Sequence, residues 1–179
     1  MPNGKEFTEK LLASLNKIAS RKIISKGELL LNEGQVEQNL YFVEAGAVRI
    51  FYLSEFEELS IRFGYKSSFI TSLSSFIKGT PSESYISGIR KATLKVISKT
   101  SFLKFVNESN ENQAQYIYLL ETLITQQIDR EIDLLITSPA ERLNRVLQRS
   151  PNLFQQIPLK YIASYLRMKP ETLSRIRNS

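Results

Sequence analysis

The chain has 179 residues, 42% of them hydrophobic, and its 24 Lys and Arg against 18 Asp and Glu give a formal net charge of +6. It contains neither cysteine nor histidine, which excludes disulfides, thiolate-held zinc or iron–sulfur sites, Cys/His nucleophile pairs and Ser-His-Asp triads. Because neither a P-loop nor a G-x-G-x-x-G loop is present, we expect neither an enzyme nor a resident metal or cofactor.

The first residues suggest no targeting or membrane segment. They contain no apolar signal-peptide core, and no stretch approaches the roughly 18 apolar residues of a membrane span. We therefore expect a cytoplasmic protein. Residues Glu6–Ala19 carry apolar side chains at helical spacing, which predicts an amphipathic N-terminal helix.

Short β-rich runs separated by turns follow, from Ile23 to about Phe105. The predicted strands are Glu28–Leu31, Leu40–Val43, Val48–Leu53, Leu59–Phe63, Tyr85–Ile89 and Leu94–Ile97. Gly27, Gly34 and Gly46 fall at the breaks between them. Strands at this spacing favour a β-sandwich or barrel over alternating β–α units.

One part of this region carries a family resemblance. The stretch Lys26-Gly27-Glu28-x-Leu30-x-x-Glu33-Gly34-Gln35, with Leu40-Tyr41-Phe42-Val43-x-x-Gly46-x-Val48-Arg49-Ile50, resembles the opening half of a cyclic-nucleotide-binding domain. The resemblance implies a β jelly-roll in which the glycines stand at turns, where residues that accept positive φ are needed.

The phosphate-binding segment departs from that family. Ligand-binding members carry a Gly-Glu pair and, some ten residues later, an Arg; here Thr71 and Ser72 occupy the pair and Ser82 the Arg position. Without the Arg a buried phosphate would be left unpaired at a cost of several kcal/mol, so we expect that cyclic AMP does not bind in the usual way. Either Thr71, Ser72, Ser74 and Ser82 line a pocket for another small effector, or they only cap a short helix and pack the barrel.

Residues Glu111–Ile136 predict the longest helix of the chain. Its continuous apolar seam consists of Ile117, Leu120, Ile124, Ile128, Ile132 and Leu135. Tyr116, Leu119 and Leu123 form a second apolar face along the first half. A helix with two apolar faces must bury both, so we expect one face on the barrel and the other on a second copy in a parallel homodimer. A purely intramolecular helix is the alternative.

The C-terminal part predicts further helices. Ser138 suits an N-cap and Pro139 a first helical position, so a helix is expected from there to about Arg149, after a hinge at residues 136–139. Residues Ile157–Arg177 then predict a helix-turn-helix, with a first helix from Pro158 and a second from Pro170. Residues 139–179 hold eight basic and two acidic residues, which is the whole net charge of the protein and favours nucleic acid as a partner.

This C-terminal region also carries a resemblance. Ser138-Pro139-Ala140-Glu141-Arg142, Ser150-Pro151 and the stretch Ile157–Arg177 resemble the C-terminal half of the Crp/Fnr superfamily of transcription regulators, in a short form common in Bacteroidetes-type bacteria. The resemblance implies an α+β chain with a jelly-roll at residues 1–110, a dimerisation helix at 111–136 and an all-α helix-turn-helix domain at 137–179. It also implies a homodimer on two-fold symmetric double-stranded DNA, with RNA polymerase as a further partner.

The resemblance assigns DNA contacts to individual residues. Glu171 and Arg175 match the recognition-helix positions that read bases, and Arg with Glu suits a G·C-containing half-site. Phosphate contacts are assigned to Lys169, Thr172, Ser174 and Arg177, with Lys160 reaching the DNA backbone from the first helix.

Two departures distinguish this helix pair. Arg167 occupies a turn position where glycine is common, and a non-glycine residue in the left-handed conformation costs roughly 1 kcal/mol or more. Lys169 stands where Ser or Thr would cap the second helix, at a loss of about 1 kcal/mol. These departures keep a second hypothesis open, namely a cyclic-nucleotide-domain-like ligand sensor or protein-interaction module that does not bind DNA.

Overall fold

The computed structural model of the protein describes residues 9, 11–14, 16 and 19–178. Residues 9 and 11–14 are helical, and we label this segment α1. The remainder of the predicted helix Glu6–Ala19 lies outside the described residues, except for Asn16 in a turn and Ala19 just before the first strand.

Eight antiparallel strands among the described residues form two four-stranded sheets. The strands are β1 Ser20–Ile24, β2 Leu29–Leu31, β3 Asn39–Ala45, β4 Ala47–Leu53, β5 Glu58–Tyr65, β6 Phe69–Ile70, β7 Tyr85–Gly88 and β8 Ala92–Ser98. One sheet has the order β1-β8-β3-β6 and the other β2-β7-β4-β5. All six predicted strands are confirmed, whereas β1 and β6 were not predicted.

The two sheets enclose the first core. Its buried side chains come from both sheets and include Tyr41 and Leu94 from one, and Val48 and Ile86 from the other. At the tight turn between β3 and β4, Gly46 has φ 85° and a Cβ there would collide with the carbonyl oxygen of Lys91. Only glycine meets both requirements, which is why this turn tolerates no side chain.

Among the described residues, seven further helices follow α1. They are α2 Leu73–Lys78, α3 Lys99–Asn107, α4 Asn110–Leu135, α5 Pro139–Arg149, α6 Leu153–Gln156, α7 Leu159–Tyr165 and α8 Pro170–Arg177. α5 begins as predicted, since Pro139 opens it and the Ser138 side chain accepts a hydrogen bond from the Glu141 N–H at 3.3 Å. In the part of the chain that is described, no helix has the length and apolar character needed to cross a membrane.

α4 has two faces with different surroundings. On one side Tyr116 and Leu119 are half-buried against a second core, built on Leu11, Phe102 and Val106. On the other side the predicted seam is uncovered in the single chain: Ile117, Ile124, Ile128, Ile132 and Leu135 are exposed, and Leu120 is half-buried. The predicted two-faced helix is therefore present, with its seam facing solvent.

The C-terminal helices share a third core with the β structure. The buried side chains of α5 to α8 pack around Ile162, Ala163 and Leu173. The same cluster contains Ala47 at the start of β4 and Ile89 just after β7. The helices therefore pack directly on the two sheets β1–β8, which we call the roll.

Candidate nucleic-acid interface and ligand pocket

The turn between α7 and α8 is short and is held by main-chain hydrogen bonds. The Leu166 N–H donates to the Ile162 carbonyl at 2.9 Å, and the Met168 N–H donates to the Ala163 carbonyl at 3.0 Å. Arg167 between them has φ 54°, the left-handed conformation predicted for this position. A Cβ in that conformation costs roughly 1–2 kcal/mol, so the surrounding contacts must enforce the turn.

Arg142 of α5 supplies one of those contacts. Its Nη1 donates to the Leu166 carbonyl at 2.5 Å, and its Nη2 donates to the Ile136 carbonyl at 2.9 Å. The guanidinium therefore ties the turn to the end of α4.

A second group of charges joins α4 to α5. The Asp133 carboxylate accepts from Arg145 Nε at 2.8 Å and forms an ion pair with Arg149 Nη2. This hydrogen bond raises the pKa of Arg145 above its ordinary value. Arg142 binds main-chain carbonyls, so three of the eight basic residues in 139–179 are held by carbonyl or carboxylate groups of the chain itself. The carboxylate, that of Asp133, lies just outside this segment. The positive charge available around α8 is therefore smaller than the sequence count suggests.

α8 presents a polar face. Leu173 is fully buried against the other helices, while Glu171, Arg175 and Arg177 are exposed and Thr172 and Ser174 are half-buried. Glu171, Ser174, Arg175 and Asn178 line a shallow depression together with Leu159 and Pro170. Since residues three and four apart share one face of a helix, these side chains can meet the same ligand surface. Their donors and acceptors suit base edges and phosphates.

The start of α8 matches the sequence-based expectation. Lys169 is the N-cap residue and makes no side-chain capping hydrogen bond, and Pro170 follows at the first helical position. Lys169 is exposed beside the polar face, and the Arg177 guanidinium lies 5.7 Å from the centre of the Phe154 ring.

Lys160 lies apart from the other predicted DNA contacts. Its Nζ is 4.7 Å from the centre of the Tyr161 ring, and the side chain lines a cleft between α7 and the roll together with Arg49 of β4. A phosphate contact from Lys160 requires its side chain to turn away from this cleft.

The same side of α7 docks on β5. The Ser164 hydroxyl accepts from the Ser60 N–H and donates to the Glu58 carbonyl, both at 2.9 Å. Arg130 of α4 donates to the Ser60 carbonyl at 3.1 Å and lies 4.4 Å from the centre of the Tyr165 ring. Burial lowers the pKa of this guanidinium. Main-chain groups of Glu58 and Ser60 on the edge strand β5 thus find hydrogen-bond partners in side chains of α4 and α7.

The four predicted effector residues differ in burial and in their hydrogen-bond partners. The Ser72 and Ser82 hydroxyls lie 2.8 Å apart, and the Ser82 hydroxyl donates onward to the Ser84 carbonyl at 2.8 Å. The Thr71 hydroxyl donates to the Asn39 carbonyl at 2.9 Å, whereas Ser74 is exposed. Ser72 is the N-cap residue of α2 without a side-chain capping bond, so its hydroxyl serves the link to Ser82 instead.

Sequence reasoning missed a buried carboxyl close to this group. Glu37 is 1% exposed, its Oε1 accepts from the Asn39 N–H at 2.9 Å, and its Oε2 has no partner among the described residues. Burial raises the pKa of Glu37 and, together with the Glu37 charge, that of Tyr41. A Glu beside Gln38 in a polar turn resembles any exposed loop residue, so the sequence carries no signal for this burial. No cluster of three or more potential metal ligands occurs in the described ranges.

The comparisons with known proteins agree with the β-roll. Residues 21–109 match the family model of the cyclic nucleotide-binding domain. This part of the chain is therefore similar to that family. The predicted resemblance of the roll to a cyclic-nucleotide-binding domain is thereby confirmed. No curated protein matches the sequence.

Solved structures share the fold over most of the chain. FixK2 from Bradyrhizobium japonicum aligns with a TM-score of 0.78 and 18% identity, covering 90% of this chain and 83% of that one. A mutant of CooA from Carboxydothermus hydrogenoformans aligns with a TM-score of 0.73 and 17% identity, covering 94% of this chain and 82% of that one. The c-di-GMP responsive global regulator CLP from Xanthomonas campestris aligns with a TM-score of 0.70 and 14% identity, covering 95% of this chain and 90% of that one. At these identities the likeness concerns the fold alone.

Proposed function

We propose that the protein is a dimeric DNA-binding transcription regulator of the Crp/Fnr type, with α7 and α8 as its helix-turn-helix. The observation that carries the proposal is the exposed polar face of α8, behind which Leu173 is fully buried. An eight-residue helix anchored through one apolar side leaves its other side free to enter a major groove. Residues 1–110, 111–136 and 137–179 then act as sensing, dimerisation and DNA-binding units.

Specific roles follow from the positions on α8. Arg175 would bond to guanine O6 and N7 and Glu171 would accept from cytosine N4, because both belong to the exposed face. Lys169, Thr172, Ser174 and Arg177 flank them and would contact phosphates. Since Arg142, Arg145 and Arg149 bind groups of the chain itself, we expect moderate DNA affinity with a clear salt dependence.

The seam of α4 supports the homodimer. Its isoleucines recur along the whole helix and are exposed in the single chain, with Ile124 at 59%. Exposed apolar seams of this length are typical of helix–helix interfaces. In a parallel pair, the two α8 helices would face half-sites one helical turn apart, roughly 34–36 Å. Such a regulator would work in the cytoplasm with RNA polymerase.

The input is proposed not to be cyclic AMP bound in the usual way. Ser72 and Ser82 stand where the family uses Glu and Arg, and their hydroxyls bond to each other. No cation at these two positions is available to neutralise a phosphate, whose burial would cost several kcal/mol. A several-degree rise in melting temperature with cyclic AMP would contradict this part of the proposal.

The DNA proposal is tested by fluorescence anisotropy with the DNA upstream of the protein's own gene, at two salt concentrations. If a dimer neutralises about eight phosphates, log affinity should fall against log salt with a slope of about −7. Arg175→Ala should weaken specific binding about tenfold or more, as loss of a bidentate base contact implies. Lys22→Ala, an exposed cation on β1, is the matched control and should bind like the parent. Absence of sequence-selective binding, or equal affinities of the two variants, would refute the proposal.

A sensor or protein-interaction module without DNA binding is the second candidate. The uncapped start of α8 and the left-handed Arg167 favour it, because both weaken the presentation of a recognition helix. Ligand binding together with an anisotropy titration that stays flat at low salt would support this candidate over the first.

A further inference from the structure

A cleft of about 460 Å³ lies between the sheet β2-β7-β4-β5 and α7, outside the core of the roll. Charged and aromatic side chains dominate its lining: Arg49, Phe51, Glu58, Tyr85, Lys160 and Tyr161. We propose that this cleft binds a small anion carried on an aromatic ring, such as an aromatic carboxylate or a nucleoside monophosphate.

The cleft is built around a fixed guanidinium. Arg49 lies between two rings, 4.1 Å from the centre of Phe51 and 4.4 Å from that of Tyr161. Phe51 in turn stacks on Tyr85, with ring centres 5.1 Å apart and planes 13° apart. The continuous stack Tyr161–Arg49–Phe51–Tyr85 holds the guanidinium plane in one orientation. An arginine held this way can bind an oxyanion with little loss of side-chain entropy.

The charges of the cleft leave room for an anion. The Arg49 side chain is only 7% exposed and forms an ion pair with Glu58, while its Nε has no hydrogen-bond partner among the described residues. Lys160 adds a second cation to the lining, with its Nζ 4.7 Å from the centre of the Tyr161 ring. Glu58 is 50% exposed and can turn towards solvent. With two cations and one half-exposed carboxylate in the lining, the cleft has an excess of positive charge that favours a ligand oxyanion.

The remaining lining selects a ring. Leu29, Leu53, Phe51 and Tyr85 provide apolar and aromatic surface next to the cations. A volume of about 460 Å³ falls within the range of small-molecule pockets, about 300–1,000 Å³, which combine such surface with a few polar groups. An inorganic anion would leave this apolar surface unused, and a neutral ring would not use the positive charge of Lys160.

The ligand would bridge two parts of the chain, since Arg49 belongs to β4 and Lys160 to α7. Occupancy would therefore hold α7 against the roll. Any effect on DNA binding rests on the proposed function, whereas ligand binding itself does not.

Isothermal titration calorimetry on the full chain tests the site with four probes. Benzoate and adenosine 5′-monophosphate carry an anion on a ring, adenosine is a neutral ring, and inorganic phosphate is an anion without a ring. We expect at least one ring anion to bind, at least tenfold more tightly than adenosine and phosphate. The ring anion that binds identifies the ligand class. If neither benzoate nor adenosine 5′-monophosphate binds, or if adenosine binds as tightly as the ring anion, the proposal is overturned.

Three variants locate the binding. Lys160→Gln should weaken it about tenfold, as expected for loss of a charged hydrogen bond. Glu58→Gln should tighten it severalfold, because the competing carboxylate is removed. Lys104→Gln, an exposed cation on α3, is the control and should leave it unchanged. Equal affinities of the Lys160 and Lys104 variants would place the ligand elsewhere and overturn the proposal. A failed DNA titration would leave this result untouched.

Discussion

Replacement of Asp133 by Asn tests the connection between α4 and the C-terminal helices. The Asp133 side chain is 3% exposed and accepts from Arg145 Nε at 2.8 Å and from Arg149 Nη2. The two arginines lie on α5, beyond the segment 136–138 that separates the helices. Asn keeps the shape of the side chain and removes its charge, so the change isolates the ionic contribution.

The expected loss follows from the burial of the three groups. Removing one partner of a buried ion pair costs about 3–5 kcal/mol when the remaining charge stays buried. Here the arginine side chains are 34% and 33% exposed and can regain water after small rotations. We therefore expect Asp133→Asn to lower the free energy of unfolding by about 2–3 kcal/mol, which for a chain of this size lowers Tm by roughly 4–12 °C.

Urea unfolding followed by circular dichroism, at a fixed protein concentration, measures this loss. Asp129→Asn is the matched control, because Asp129 lies one turn earlier on α4 and is half-buried. We expect the control to change the free energy by less than about 0.5 kcal/mol. Equal effects of the two substitutions would refute the assignment of Asp133 as the link across this segment.

Three further substitutions test other parts of the structure. Ile124→Asp should convert the proposed dimer to monomer in sedimentation equilibrium, whereas Ile77→Asp, an exposed isoleucine on α2, should not; a persistent dimer would contradict the seam as the interface. Ser164→Ala should cost about 1–3 kcal/mol and speed hydrogen exchange at the Ser60 amide, which loses its acceptor; unchanged exchange would show that α7 does not hold β5. Burial raises the pKa of Glu37 above 4.5, so the parent should lose stability as pH rises from 4.5 through the folded-state pKa. The Glu37→Gln variant should not show this pH-dependent loss of stability. If urea unfolding gives a difference in free energy between parent and variant that does not change with pH, the prediction is wrong.

The helices predicted best are those whose signals lie within the helix itself. α4 was predicted within one residue at each end, because its apolar spacing is continuous, and α5 because Ser138 and Pro139 mark its start. β1 could not be found this way, since four of its five residues are exposed and only Ile24 enters the core. Its strand conformation comes from pairing with β8, some 70 residues later, which local sequence does not encode.

In the candidate site, too, the features that depend on local sequence were predicted and the contacts between distant segments were not. The left-handed Arg167 and the uncapped Lys169 follow from their places in the helix pair, and both are confirmed. Arg142, Arg145 and Arg149 bind groups on other segments of the chain. A count of charges along the sequence does not reveal these contacts, so it included the three arginines among the cations available for DNA. The stack around Arg49 joins β4 to α7, more than 100 residues apart, and no local pattern indicates it.

The position of α7 links the two halves of the molecule. Its apolar side, with Ile162 and Ala163, belongs to the core that supports α8. On its other side Tyr161 contacts Arg49 of β4, and Ser164 hydrogen-bonds to β5. A change at the outer face of the roll would therefore act on α7 directly, through the stack and the Ser164 hydrogen bonds. The hydroxyls at the usual nucleotide position already bond to each other and to main chain, which leaves them few groups to offer a ligand. In the proposed regulator, the cleft against α7, more than the interior of the roll, therefore has the contacts that an effector would need to influence α8.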